Sequence, residues 1–412
     1  MSFDWFVDID ERVVQIIQNL DEIDRKLSKE KAERDEELQR SLGQKRKDIE
    51  KRLNNKIYAI LNEFSYANTK ISALSSIYLE CKSLNLKDSE TLRYHYIDIV
   101  YKNGKSLLKE SLQKNNLHEI YNVIKTPSID ISKLPLFSFF LQFIFTLATP
   151  YLSKDDEEFY IHENPVRKDK VFKTPLISGS TWKGNLRWTA MKIFTDELPE
   201  RTDESMLSKY FEKRSQIIRL FGYEKDAVED YLNSVLAEKL NGGFIESKKS
   251  VEEKFKKFLE EKGYISPKIE GRRGRLNFFP TFFEEIGLNI INPHSRETKA
   301  GTTPIYLENV PTEADGTFSL LYIPFDLIGQ PIGKVKKEVE EDLEFIEKVI
   351  KAMMLTYGFS AKKDSGFGII ERTLQGGSLR IKGIEPFKSF KDFCKLEKEI
   401  LEVKAQIENY GG

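Results

Sequence analysis

Ile16, Leu20, Ile23 and Leu27 step by four, three and four residues, and Leu38, Leu42, Ile49, Leu53 and Ile57 partly resume the seam. This heptad spacing predicts helices, with the charge-dense stretch RKLSKEKAERDEELQR between the two runs. Two readings fit it: a long solvated helix in a helical hairpin, or a coiled-coil arm that docks another subunit. Residues 66–126 continue with helix-compatible runs such as TLRYHYIDIVYKNGKSLLKESL. The period then changes. Phe137, Phe139, Leu141, Phe143, Phe145 and Leu147 alternate with Ser138, Phe140, Gln142, Ile144 and Thr146. Period two over this length predicts a strand with one wholly buried face and one mixed face, a buried core helix being the alternative.

Beyond this strand the pattern predicts a polar loop over 149–178 and a helix from near Ser180. A charged helical insertion over about 195–265 includes KSVEEKFKKFLEEKGY. Strand candidates return at RLNFFPTFF, GLNII, TPIYLENV and GTFSLLYIPF. Leu343, Ile346, Ile350 and Met353 or Met354 mark a helix over 334–357. GFSAKKDSGFG follows, then a strand at SLRIKGI and a C-terminal helix over about 388–409. Strand, helix, several strands, helix, strand is an α+β order with a mixed or antiparallel sheet.

Composition sharpens the boundary. All 14 prolines lie at Pro127 or later, and only Gly43 and Gly104 of 23 glycines precede it. Both residue types interrupt helices, so 1–126 reads as a helical region and 127–412 as a second, turn-rich domain. The chain of 412 residues has ample length for a sizeable core. With 65 Lys+Arg against 66 Asp+Glu, it does not bind polyanions by bulk positive charge. Any nucleic-acid partner must meet a local concentration of basic groups. Cys81 and Cys394 lack metal-ligand spacing, which argues against a zinc site or a disulfide framework. The acidic N-terminus, MSFDWFVDIDERVV, is unlike a secretory signal. The most apolar run, Leu136 to Ala148, is too short to span a bilayer as a helix. These features predict a cytoplasmic protein with no membrane partner.

Three stretches carry the candidate chemistry. In TPLISGSTWKGNLRWTAMKIF, Gly179 precedes a helical pattern that Ser180 or Thr181 can cap, which aims first-turn N–H groups and the positive dipole end at a ligand. Lys183 and Arg187 share a helix face four residues apart, on either side of Gly184. From Glu163 to Lys192, seven Lys/Arg (Lys168 among them) and two acids leave a local charge of +5. Trp182 and Trp188 are either stacking surfaces for a base or core. The second stretch, PKIEGRRGR, places Arg272, Arg273 and Arg275 on a glycine-punctuated loop suited to phosphate. In the third, GFSAKKDSGFG, glycines permit close backbone approach beside Lys362, Lys363, Ser365 and Gly366. Together the three imply a focused nucleic-acid groove, with a phosphodiester backbone as ligand.

ISGSTWKGNLR resembles the G-S-S-x-K-G-x-L-R signature of the RAMP superfamily, the repeat-associated proteins of CRISPR effector complexes. RLFGY at 219–223 resembles the family's leucine-phenylalanine-glycine turn, and GFSAKKDSGFG its C-terminal glycine-rich loop. HENPVRKDKVFKTPLISGS resembles the stretch before the signature in type III backbone subunits. The resemblance spans roughly 135–385 and leaves the first 126 residues without a counterpart. It implies a ferredoxin-like, RRM-related core in a subunit of a type III-like ribonucleoprotein for antiviral defence. The implied partners are guide (CRISPR) RNA, target RNA and other effector subunits, with the signature and glycine-rich loop gripping the guide backbone. A thumb hairpin is implied near 149–178 or 292–303.

Two further readings stand beside it. Family members that cut target RNA carry an aspartate where this chain has Glu163. Metal-assisted cleavage through Glu163, with Asp155 or Asp156 and Mg2+ or another divalent ion, would make the chain an endoribonuclease. No cofactor or metal site is evident otherwise. His294, with Arg296 and Lys299 in NPHSRETKAG, offers a metal-independent alternative in which histidine serves as the base. The last reading is an adaptor that recruits another protein through its helical N-terminal region.

Overall fold

The structure, a computed structural model, describes residues 15–19, 22–27, 36–63, 70, 73–79, 90–105, 118–155, 164–199, 206–223, 227–239, 244–264, 271–292 and 304–411. In chain order, α1 spans Glu36–Glu63, α2 Glu90–Asn103, β1 Phe139–Leu147, α3 Gly179–Asp196, α4 Leu207–Phe221, α5 Ala227–Lys239 and α6 Phe244–Glu261. There follow β2 (Leu276–Phe278), β3 (Gly287–Ile291), β4 (Ile305–Asn309), β5 (Asp315–Tyr322), α7 (Ile332–Ala352), β6 (Ile370–Ile381), β7 (Ile384–Phe390) and α8 (Phe393–Glu408). None of the described helices is long and apolar enough to cross a membrane.

The chain forms two compact units whose limits depart from the sequence boundary at Pro127. The first takes residues 1–121 together with 152–175 and 283–314, and the second takes 122–151, 176–282 and 315–412. Local composition marks where helices stop being favoured. It is blind to the packing that returns two later segments to the helical unit. In the first unit, Leu53, Ile57, Ile60 and Leu61 of α1 pack with Leu92, Tyr96, Ile99 and Val100 of α2. Ile286, beside the antiparallel hairpin β3–β4, joins that core, with Leu288 partly buried against it. On the first heptad run Ile17 is fully buried while Ile16 is only partly so, a one-residue displacement of the expected seam. Glu308 on β4 has no exposure at all. It accepts from the Tyr96 hydroxyl, from the Val166 backbone N–H (2.9 Å) and from the Lys168 ammonium. Such a carboxylate is tolerable in a core only because each of these donors replaces lost water.

The second unit is built on β1. Its odd-numbered residues, Phe139 to Leu147, are all buried, while Gln142, Ile144 and Thr146 on the other face are half-buried. It lies at the centre of a five-stranded antiparallel sheet with the order β7-β6-β1-β5-β2. Register pairs Phe139 with Tyr322 and Phe143 with Phe318, and the rings meet at centroid distances of 4.6 and 5.1 Å. Hydrogen bonds to a neighbour on each side hold β1 as a strand where its apolar content alone left a helix open. The insertion forms α4, α5 and α6, near the expected span. At the C-terminus the structure corrects the expectation: α8 begins at Phe393, after the strand β7. Ile384 and Phe390 at the ends of β7 are buried. Asp392 caps α8, its Oδ1 accepting from the Lys395 N–H at 2.7 Å.

Glu347, on the buried face of α7, retains 7 % exposure, and its Oε1 has no hydrogen-bond partner among the described residues. Burial raises its pKa to about 7; Lys351 lowers it, and the Glu397 and Glu344 charges raise it. The unfolded carboxyl titrates near its ordinary value of 4.5. The folded state therefore holds the proton over a window in which the unfolded state has lost it, and stability falls as pH rises through that window up to about 7. Glu347→Gln removes this loss. Urea unfolding should show wild type losing stability relative to the variant between pH 5 and pH 8, by about 2–3 kcal/mol. A constant difference across that range would refute the assignment.

Candidate nucleic-acid interface

Trp182 sits in the first turns of α3 and is fully buried. Its ring meets Phe145 of β1 (6.1 Å between centroids), Phe318 of β5 (5.1 Å) and Phe359 of the glycine-rich loop (4.7 Å). The indole Nε1–H donates to Thr281 Oγ1 at 3.0 Å, and the Thr281 hydroxyl in turn donates to the Thr317 carbonyl at 2.6 Å. Of the two sequence readings of Trp182, the core one holds. Gly179 lies so close to β2 that a Cβ there would stand 2.5 Å from the Phe278 carbonyl oxygen. Only glycine lets the helix begin at this point.

The cap is Ser178, two residues before the expected Ser180 and three before Thr181. Its Oγ accepts from the Thr181 N–H at 3.2 Å, with the Ser180 and Thr181 hydroxyls at 2.8 and 2.9 Å. Three hydroxyl residues within four positions made the local sequence degenerate, and Gly179 extends the helix back. Asn185 ties helix to loop: its Nδ2 donates to the Thr181 carbonyl (3.1 Å) and to the Phe359 carbonyl (3.2 Å). Lys363 reaches the same place, with its ammonium 3.9 Å from the Trp188 ring centroid and 3.4 Å from Asn185 Oδ1. Burial there lowers the Lys363 pKa. Trp188 is 40 % exposed and also meets Tyr357 edge-on. The turn closes on Gly368, whose φ is +76°; a Cβ there would lie 2.5 Å from that of Ser360. Around this junction Ser180, Lys183, Gly184, Lys362, Ser365 and Gly366 are exposed, and Arg187 is half-buried. A Cβ at Gly184 would meet nothing within 4 Å, so the helix surface beside Lys183 is open.

Other expected site residues are placed elsewhere. Lys168 is buried in the first unit with Glu308, so it serves packing; its burial removes it from any surface that a phosphate can reach. The same unit contains Asp155, whose Oδ2 accepts from the Lys168 N–H at 3.1 Å. The +5 count from 163 to 192 therefore runs across two units and does not measure one patch. Arg275, in the bend before β2, is 3 % exposed: it donates to Asp326 (2.6 and 2.8 Å), Glu338 (2.6 Å) and Asp342 (2.8 Å). Three carboxylates outweigh the penalty of burying it and hold its pKa above the usual arginine value. Arg272 pairs with Asp326 at 2.5 Å, while Arg273 is exposed and bonds the Asn277 side chain at 3.0 Å. Asp156, Glu163, His294 and Arg296 lie outside the described residues. No group of three or more His, Cys, Asp or Glu suited to a metal occurs among the described residues.

The sequence matches the family model of the RAMP superfamily over residues 144–371, from within β1 to the start of β6. The chain belongs to the RAMP superfamily. No curated protein matches it. Solved structures that align with it include one titled "Cryo-EM structure of the Type III-B Cmr-beta bound to cognate target RNA", at 12 % identity and a TM-score of 0.37, covering 72 % of this chain and 78 % of that one. Cmr6 from Pyrococcus furiosus aligns at 13 % identity and 0.28, covering 57 % and 99 %. A chain of a type IV-B CRISPR complex aligns at 11 % and 0.31, covering 61 % and 93 %. At these scores, membership rests on the sequence match.

In this RAMP protein the signature and the glycine-rich loop are therefore joined through Trp182, Asn185 and Phe359, over sequence separations of 174 residues or more. Sequence reasoning missed Asn185, Phe359, Tyr357 and Ser178. Phe359 and Tyr357 flank the first loop glycine, and an aromatic there is a usable sign that the loop is anchored. Asn185 gave none, because an amide in a polar helix face is ordinary. Trp182→Ala should lower stability by about 3–5 kcal/mol, whereas Trp182→Phe keeps the ring contacts and costs about 1–2 kcal/mol. Amide exchange in 358–368 should accelerate in the alanine variant beyond what global unfolding explains. Unchanged exchange there would show that the loop does not depend on the indole.

Proposed function

We propose that this RAMP protein is an RNA-binding subunit of a type III-like CRISPR ribonucleoprotein, holding the guide backbone at the N-terminus of α3 and the loop 358–368. The observation that carries the reading is the Asn185–Phe359 junction, which makes one surface of two elements bearing Lys183, Arg187, Lys362 and exposed backbone. First-turn N–H groups and the positive end of the α3 dipole favour an anion there, and lysine and arginine supply the charge. Exposed Trp188 adds a flat face beside the cations. A ferredoxin-like core is supported by the strand order β6-β1-β5-β2 with α3 and α7 as the two connecting helices. Target RNA and other effector subunits are the further partners of this reading.

Lys183→Glu with Arg187→Glu is the direct test. The double variant should keep its circular dichroism spectrum and lose small RNA on purification, with affinity for single-stranded RNA reduced at least tenfold. Removing two phosphate contacts should also flatten the dependence of log affinity on log salt by about 1.4. RNA content and salt slope equal to wild type would sink the assignment.

A further inference from the structure

A second basic surface lies in the same unit, on residues that the α3 site does not use. On α4, Lys209, Glu212, Lys213, Gln216 and Arg219 recur at helical spacing and line one cleft. Lys334, Lys337, Glu338 and Glu341 of α7 line it as well, with Phe258, Lys262 and Tyr264 at the end of α6. Its volume is about 850 Å³.

The charge accounting of this cleft is uneven. Each carboxylate on its walls already has a cation. Arg272 and Arg275 hold Asp326, Arg275 holds Glu338 at 2.6 Å, Arg219 holds Glu341 at 3.0 Å, and Lys262 stands 3.8 Å from Glu212. Lys213 turns to Glu197 at 3.0 Å. Lys334 reaches only the uncharged Gln330 side chain at 3.3 Å, and Lys209 and Lys337 make no ion pair with a described residue. All three are exposed. Four cations, Arg219, Lys262, Arg272 and Arg275, thus serve five carboxylates, Asp342 behind the wall included, and the three exposed lysines Lys209, Lys334 and Lys337 exceed the one acid left over. Two aromatic rings stand among them: Tyr264 has the Arg272 guanidinium 4.7 Å from its centroid, and Phe258 has the Lys262 ammonium at 5.5 Å.

We infer that this cleft binds a stretch of single-stranded RNA separate from the one held at α3. Flexible lysines act as point charges that track a phosphodiester chain, and aromatic faces stack bases of any sequence. A free mononucleotide fits the arrangement less well. Sites for small ligands are mostly apolar with a few fixed polar groups, and this one is lined largely by charged side chains. The inference rests on reading the chain as an RNA-binding protein, though on different residues.

The test uses the full chain and a labelled twelve-nucleotide oligouridine carrying one 4-thiouridine. Lys209→Glu, Lys334→Glu and Lys337→Glu together should weaken binding at least tenfold at 0.1 M salt and flatten the salt slope by about 2, for three single-strand phosphate contacts. Tyr264→Ala alone should weaken it at least fivefold, as the loss of one stacked base does. Irradiated wild-type protein should cross-link at Tyr264 or Phe258, and that cross-link should persist in the Lys183→Glu, Arg187→Glu variant. The inference is overturned by an unchanged affinity and slope in the triple variant or by a cross-link confined to α3 and 358–368. Competition by polyglutamate equal to that of RNA, which would indicate an acidic protein partner, also overturns it, as does loss of the cross-link to equimolar AMP, which would indicate a mononucleotide. If the α3 variant loses RNA while the triple variant does not, only this inference falls. If the reverse holds, the α3 reading falls and the cleft stands.

Discussion

The second unit of this protein is organised around the burial of one indole. Trp182 touches the central strand, its neighbour and the glycine-rich loop at once, and its single polar atom is satisfied by Thr281. A ring of this size fills the space between helix, sheet and loop as no smaller side chain can. Because it is rigid, α3 and residues 358–368 meet at a set distance, and Asn185 then completes the junction with a hydrogen bond that a looser contact could not orient.

A second constraint is electrostatic. Asp342 is fully buried, and it receives Arg219 at 2.7 Å, Arg275 at 2.8 Å and the Tyr322 hydroxyl at 2.9 Å. The Tyr322 hydroxyl, buried beside that carboxylate, is held well above its ordinary pKa. This network joins α4, β2's leading residue, β5 and α7, so removing any one partner would strand the others in a medium of low dielectric. It also absorbs two arginines of the motif-bearing segments. The charges of the unit thus divide by burial: the forks of Arg219 and Arg275 are held by internal carboxylates, and Lys209, Lys334 and Lys337 stay at the surface. A nearly neutral chain can in this way present basic surfaces without any overall positive charge.

Periodicity was enough to read β1, α7 and the helical insertion, because each is a local alternation of apolar and polar positions over a whole element. It was enough also for the signature helix and the glycine-rich turn, whose backbone demands leave glycine at Gly179 and Gly368. It failed on the fate of individual charged residues. Lys168, Arg273 and Arg275 look alike in sequence, yet one is sealed against Glu308, one is exposed and one is enclosed by three carboxylates. The partners that decide this lie from 51 to 140 residues away, at Asp326, Glu338, Asp342 and Glu308.

By itself, then, the sequence determined which of the described segments are helix and strand, since that follows from neighbouring residues. The tertiary structure alone decided which segments fold together, returning 152–175 and 283–314 to the helical unit. It also decided which cations face solvent. Burial and charge pairing are properties of surfaces assembled from distant parts of the chain, and no local pattern encodes the distance between two such parts.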